Sequence, residues 1–333
     1  MVLGRTGFVG QLVEKAIRDA GHQTSALAPF RVERAFDRAR PLEECVVDWL
    51  GAHADLAGEL AGQLSGNDVL VNAAGMAEPK SEDIPRLFDA NAVLAGVAAQ
   101  IASRAGVSRL IHISSAAVQG RRDPLDESED IEPVTSYGRS KAAAERLLLE
   151  RRVDVPNELI VYRPTSVQGV SRDLTGKLVA FASMAFVPIP GGGSAPVPVC
   201  LSENVAAVVV YLLSVNPPPR IVLQPPEGMT TRGLLNALGN NPRFVPFPGG
   251  LARAAVELGY LLGRRSSRVG ALARRLDLLV NGQEQDARAL AHLGFDPPND
   301  AHAHAYRQLG EKVRRAALNK PAPEMLSRAS PGD

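Results

Sequence analysis

The chain has 333 residues, enough to bury one large α/β domain or a domain with a smaller lobe. Hydrophobic residues make up 45% and charged residues 22%, which argues against disorder, while a net charge of +1 gives no pointer to nucleic acid or an anionic membrane as the main partner. No apolar stretch approaches a membrane span, and Cys45 and Cys200, each in an apolar run that reads as a buried strand, fit a reduced cytoplasmic protein.

Only Met1–Leu3 precede the first glycine, whereas a buried first strand runs to about five or six residues, so this strand reads as truncated at its start. No cationic and apolar leader precedes it, and no signal peptide is expected. From there to about Arg163, short apolar runs alternate with amphipathic stretches, the pattern of βαβ units and a parallel sheet. Val2-Leu3 leads into a glycine loop and a helix over Phe8–Ala20. Gln23–Ala28 reads as a second strand and Cys45–Asp48 as a third. A helix around Ala54–Leu64, a strand over Asp68–Asn72 and a long helix over Ile84–Ala105 follow. Arg109–Ser114 is the next strand, Ser136–Arg152 a helix, and Leu159–Arg163 the strand that closes the repeating part.

After Pro164 the texture changes. Val187–Pro198 is rich in proline and glycine and reads as loop and turn. Helices are expected over Glu203–Ser214 and Thr231–Leu238, a strand over Arg220–Gln224, and helix, turn, helix over Leu251–Val280. The arginines of that last segment (Arg264, Arg265, Arg268, Arg274, Arg275) read as a solvated face rather than an anion site. The tail from about Lys320, rich in Pro and Ser, reads as disordered. The expected fold is α/β, a doubly wound parallel sheet over residues 1–164. A smaller substrate lobe over 165–319 sends some segments back to the sheet, and 320–333 form the tail.

Three features carry chemistry. Gly4-Arg5-Thr6-Gly7-Phe8-Val9-Gly10 sits between a strand and a helix, where glycines let backbone approach a pyrophosphate and the helix N-terminus meets it with unpaired N–H groups. The triplet alone could be a plain tight turn. Tyr137 and Lys141, at i and i+4, share one helix face. A free tyrosine, with a pKa of about 10, is a poor base near neutrality, and a neighbouring ammonium favours its phenolate. Ser114-Ser115 end a strand at its carboxyl edge, where a hydroxyl can hold a substrate oxygen, although such a pair also serves as a cap or turn.

Taken in order, these motifs resemble the extended short-chain dehydrogenase/reductases of the NAD-dependent epimerase/dehydratase family. The resemblance rests on the glycine loop, Asp48, Asn72-Ala73-Ala74-Gly75, Asn91, Ile113–Gly120, Tyr137-Gly138-Arg139-Ser140-Lys141 and Tyr162–Gly169. Later echoes are Ser202–Ala206 and Leu293–Pro297, so it covers nearly the whole chain. It implies that Ser115 binds the reacting oxygen, Tyr137 is the acid/base, and Lys141 holds the nicotinamide ribose and tunes Tyr137. It further implies that Asp48, with Trp49 beside it, contacts the adenine, that Asn72, Ala73 and Ala74 line the adenosine ribose, and that Pro164 and Val167 flank the nicotinamide. Asn91 reads equally well as a polar residue bonding nearby backbone.

The stretch Ala26–Arg31 has no carboxylate to take the ribose hydroxyls of NAD, and Arg5 and Arg31 could pair with a 2′-phosphate, so NADP is expected ahead of NAD. Dehydrating relatives carry an Asp-Glu pair where this chain has Ala116-Ala117, which leaves 4-keto reduction or 4-epimerisation of a nucleotide sugar as the expected reaction. Substrate contacts are expected from Ser114, Gln119 and Arg172. Two positions depart from the family: Gln119 stands for its tyrosine, and Ser194–Val197 lacks its arginine. The alternative is a steroid- or flavonol-type ketone/alcohol dehydrogenase with an apolar substrate; a third reading is a non-catalytic dinucleotide-binding sensor. No metal site is expected, and a homodimer through the two long helices is common in the family.

Overall fold

The structure is a computed structural model that describes residues 1–25, 27–78, 81–239, 242–297 and 302–319. The expected disordered tail, 320–333, lies outside the described residues. Strands are β1 (Val2–Leu3), β2 (Val69–Asn72), β3 (Arg109–Ile113), β4 (Glu158–Arg163), β5 (Ser166–Gln168), β6 (Phe186–Pro190), β7 (Val199–Leu201), β8 (Ile221–Leu223) and β9 (Arg243–Phe247). Five of them form one parallel sheet in the order β1-β2-β3-β4-β8. Its strands are apolar on both sides, as a sheet covered by helices on each face requires. Helices Leu42–Ala52, Ala54–Leu64, Leu94–Arg104 and Ser136–Leu149 pack one face through Val46, Leu60, Val97 and Leu147. Helices Phe8–Asp19 and Ser202–Leu212 pack the other through Val13, Ile17, Val205 and Val209. This is a doubly wound Rossmann-like sheet.

The rest of the chain is built on β5–β7 and β6–β9, two short parallel pairs. Helices Asp173–Ala182, Thr231–Leu238 and His302–Leu318 share a third apolar cluster around Leu235, Leu238 and Tyr306. Helices Gly249–Gly263 and Ser267–Val280 form a hairpin whose seam holds Ala252, Val256 and Val280.

Three expected elements are corrected. Cys45–Asp48 is not a strand but part of the helix Leu42–Ala52. Leu42, Cys45, Val46, Trp49 and Leu50 recur at helical spacing, and Glu43 and Glu44 sit in the first turn, where the helix dipole favours acids. Among the described residues of Gln23–Ala28 no strand forms. Here β1 directs its hydrogen bonds to β2, and the Ala28 N–H is taken instead by the Gln63 side chain at 2.9 Å. Within Val187–Pro198, the first residues belong to β6, because Val187 and Ile189 alternate inward and pair with β9. The long helix at Ile84 is also interrupted: a π turn over Asp89–Val93 separates Ile84–Phe88 from Leu94–Arg104.

Candidate active site and dinucleotide cleft

At the carboxyl edge of the parallel sheet lies a cavity of about 250 Å³. Val9, Ala73, Ala74, Ser115, Tyr137, Lys141, Pro164 and Val167 line it. So do Leu125, Leu174, Pro198, Ala271 and Leu278, with Arg172, Arg274, Arg275 and Gln283.

The glycine loop fits a pyrophosphate. Gly4 has φ +83°, and a Cβ there would lie 2.5 Å from the backbone nitrogen of Ala74, so loop and β2 approach as only glycine allows. The helix Phe8–Asp19 starts at Gly7 with no side-chain cap and no acid in its first turn, so Phe8, Val9 and Gly10 N–H groups face outward for an anion. Thr6 and Gly7 belong to the same turn, closed by the Gly7 N–H to Gly4 carbonyl bond at 2.9 Å. Asn72 is buried at the end of β2, where its Oδ1 accepts the Ala74 N–H at 3.1 Å and so shapes this wall.

Ser115 follows β3, and its hydroxyl accepts the Ala117 N–H at 3.2 Å. Thr135 caps the helix Ser136–Leu149, accepting the Gly138 N–H at 3.0 Å, which sets Tyr137 and Lys141 in the first two turns. Tyr137 and Ser115 line the same cavity. Burial raises the phenol above its ordinary value, while the Ser115 hydroxyl and the Arg172 cation pull it back. Lys141 Nζ donates to the Ile113 carbonyl at 3.0 Å, and burial lowers its pKa to about 8. The cation acting on Tyr137 here is therefore Arg172 rather than Lys141. Above Lys141 sits Gly75, at φ +152°, where a Cβ would lie 2.6 Å from Asn91 Oδ1 and 3.2 Å from the ammonium. Asn91, in the π turn, accepts from Met76 N–H at 2.8 Å and donates to the Met76 carbonyl (3.1 Å) and Ser140 Oγ (2.9 Å). It ties the loop after β2 to the Tyr-Lys helix.

Several expected contacts lie elsewhere. Asp48 points to solvent from its helix and pairs with Arg40 at 2.5 Å. Trp49 is buried against Phe30 and stacks on His53 at 4.4 Å between ring centroids. Neither lines the cavity, because the segment is helix rather than strand end. Gln119 is fully buried and staples the following loop, donating to Asp126 at 2.7 Å and accepting its N–H at 3.0 Å. Ser114 lines the cleft, yet its hydroxyl is taken by Glu145 at 2.5 Å. Glu145 in turn holds Arg163 at 2.6 Å, an ion pair with both side chains fully buried. Arg31 is exposed, and Arg5, at the loop, reaches Glu14 at 3.6 Å.

Arg172 stands at the cleft, its guanidinium 5.7 Å from the Phe8 ring centroid. Arg274 and Arg275, read above as a solvated face, turn inward from Ser267–Val280 and line the same wall. Their helix packs its inner side on the cleft, which spacing along one helix does not reveal. Arg274 is held by Asp277 (3.3 Å) and Gln283. Arg172 and Arg275 have no acidic partner among the described residues. Lys177, the other basic candidate, is exposed. No group of three or more His, Cys, Asp and Glu side chains is arranged to hold a metal among the described residues. Nor is any described helix long and apolar enough to cross a membrane.

Residues 1–223 match the family described as "NAD dependent epimerase/dehydratase family". A 211-residue stretch is 30% identical to the "Sterol demethylase protein B" of Methylococcus capsulatus, covering 57% of this chain and 61% of that protein's length. Among solved structures, MoeE5 in complex with UDP-glucuronic acid and NAD superposes with a TM-score of 0.62 at 19% identity, over 95% of this chain and 98% of that one. RMD from Pseudomonas aeruginosa complexed with NADPH superposes with a TM-score of 0.59 at 17% identity, over 94% and 98%. At these identities the structures show a shared fold.

Proposed function

Because the chain belongs to the NAD-dependent epimerase/dehydratase family, we propose that it is a nicotinamide-dependent enzyme that oxidises, reduces or epimerises a carbinol–ketone centre of a nucleotide sugar. The observation that carries the chemistry is Ser115, Tyr137 and a buried Lys141 lining one cavity. Ser115 and Tyr137 hold the substrate oxygen. In oxidation Tyr137 takes the hydroxyl proton as the carbinol C–H electron pair leaves; in reduction it returns that proton to the carbonyl oxygen. A bound nicotinamide dinucleotide supplies the hydride acceptor or donor. Lys141, anchored on the Ile113 carbonyl, keeps further N–H donors for a ribose hydroxyl. Ala116 and Ala117 take the wall beside Ser115, and among the described residues no carboxylate lines the cavity to serve as an acid/base pair for elimination of water.

Two guanidiniums in the lining, Arg172 and Arg275, without acidic partners among the described residues, favour an anionic substrate such as a nucleoside-diphosphate sugar. An assay of NADPH and NADH absorbance across nucleotide sugars and their 4-ketones tests this. Replacing Arg172 and Arg275 by leucine should raise KM by about ten- to a hundredfold, the worth of one or two charge-assisted bonds. Arg172→Leu also removes the cation that lowers the Tyr137 pKa, so the acid limb of the oxidation profile should move to higher pH.

A second reading, an apolar steroid-type ketone or alcohol, is favoured by the wall of Leu125, Leu174, Ala271 and Leu278 and by the sterol-related name of the 30% identical relative. Steroid ketones that react where nucleotide sugars do not would select it. Tight cofactor binding with no turnover on either class would select a sensor.

NADP is the proposed cofactor, on Arg5 and Arg31 and the absence of a carboxylate in the stretch Ala26–Arg31. Arg5→Ala should weaken NADP by about tenfold and NAD little, read by dinucleotide fluorescence titration. Equal losses would count against the assignment.

A further inference from the structure

The hairpin Gly249–Val280 carries an apolar face that nothing among the described residues covers. In its first helix only Ala252 and Val256 are buried. Leu251, Ala254, Ala255, Leu258, Leu261 and Leu262 are all exposed, the four leucines by more than half. At about 100° per residue these six fall on one stripe about 120° wide, away from the seam with the second helix. Leu272, on the second helix, is likewise 61% exposed. Phe247 ends β9 only four residues before Leu251 and is exposed too. Surfaces of this breadth on a soluble monomer mark an interaction site.

Its charge says what fits. Residues 249–280 hold six arginines against two acids, Glu257 and Asp277, so the hairpin is strongly cationic inside a chain whose net charge is +1. Both acids are engaged: Glu257 pairs with Arg121 at 2.6 Å, and Asp277 is buried with Tyr260 and Arg274. Arg264 and Arg265 stand exposed at the hairpin turn, right after Leu261 and Leu262, with no acidic partner among the described residues; Arg268 is 3.6 Å from Glu82. A second copy laid on the stripe would bring guanidiniums together with no free carboxylate between them. Leucines beside arginines on an amphipathic helix instead match an acyl boundary beneath anionic headgroups.

We propose that this hairpin docks the protein on an anionic lipid surface, with the leucine stripe entering the headgroup–acyl boundary and Arg264 and Arg265 meeting lipid phosphates. The same second helix turns Ala271, Arg274, Arg275 and Leu278 into the cleft, so docking would set the substrate end of the cavity beside the bilayer. The proposal rests on the exposed face and not on either substrate reading.

Co-sedimentation of the full chain with vesicles of phosphatidylcholine alone, or mixed with phosphatidylglycerol, tests it. The expected result is binding to the mixed vesicles only, weakened by salt. Arg264→Glu with Arg265→Glu should lower partition by at least about tenfold, and Leu258→Glu with Leu262→Glu should abolish it. Both variants should keep the parent circular dichroism and NADPH affinity; Leu258→Gln with Leu262→Gln replaces the glutamate pair should its melting fall. No binding to mixed vesicles, equal binding to both, or binding indifferent to the variants would overturn the proposal. So would a dimer, seen by size exclusion, that the leucine variants dissolve.

Discussion

Tyr137→Phe should lower turnover by about a hundred- to ten-thousandfold, the usual worth of a positioned acid/base, while dinucleotide affinity changes by less than about threefold. The phenol lines the cavity with Ser115, and burial with few compensating charges raises its pKa, so its removal deletes the proton donor without disturbing the glycine loop or Lys141. Ser115→Ala should cost less, since Tyr137 still reaches the substrate oxygen. Rapid-mixing measurement of NADPH consumption, beside a fluorescence titration of the same variants, separates chemistry from binding. Parallel loss of turnover and affinity in Tyr137→Phe would mean that the phenol holds the cofactor rather than the reacting oxygen.

The largest effect on stability is expected at Glu145 and Arg163. Their side chains are fully buried and 2.6 Å apart, and Arg163 also donates to the Ser128 carbonyl at 2.7 Å. Glu145→Gln leaves a guanidinium charge uncompensated in the interior and should cost about 3–5 kcal/mol. Glu145→Leu with Arg163→Met removes both charges and should lose less than either single change, because desolvation offsets most of a buried pair's attraction. Urea midpoints of the three variants and the parent decide it. Ser114 gives its hydroxyl to the same carboxylate, so the pair also fixes the end of β3 from which Ser115 projects.

Much of this was legible in the chain. Strands rich in Val, Ile and Leu, a glycine loop at the first turn, and Tyr-x-x-x-Lys after a Ser-Ser strand end each carry a local signature, and the parallel sheet and the shared cavity of Ser115 and Tyr137 follow from them. Cys45–Asp48 forms helix rather than the expected strand because three apolar residues in a row fit a strand or a buried helix equally. The wider frame Leu42, Cys45, Val46, Trp49, Leu50, with Pro41 ahead of two glutamates, carried the helical period. Arg274 and Arg275 escaped for another reason: which side of a helix meets a cleft is a tertiary fact. Gln119 and Ser114 lie beside the motif residues, yet their side chains are taken by Asp126 and by Glu145, partners 7 and 31 positions away. Nothing local announces such pairings.

The wall beside Ser115 has a bearing on what a mass spectrometer would see. If the cleft runs the proposed reaction, with methyl groups where dehydrating relatives place proton carriers, every oxygen that enters on the substrate also leaves on the product. Any compound this cleft processes should therefore emerge lighter or heavier by one pair of hydrogens, or unchanged in formula and altered only in handedness, and never short of a hydroxyl.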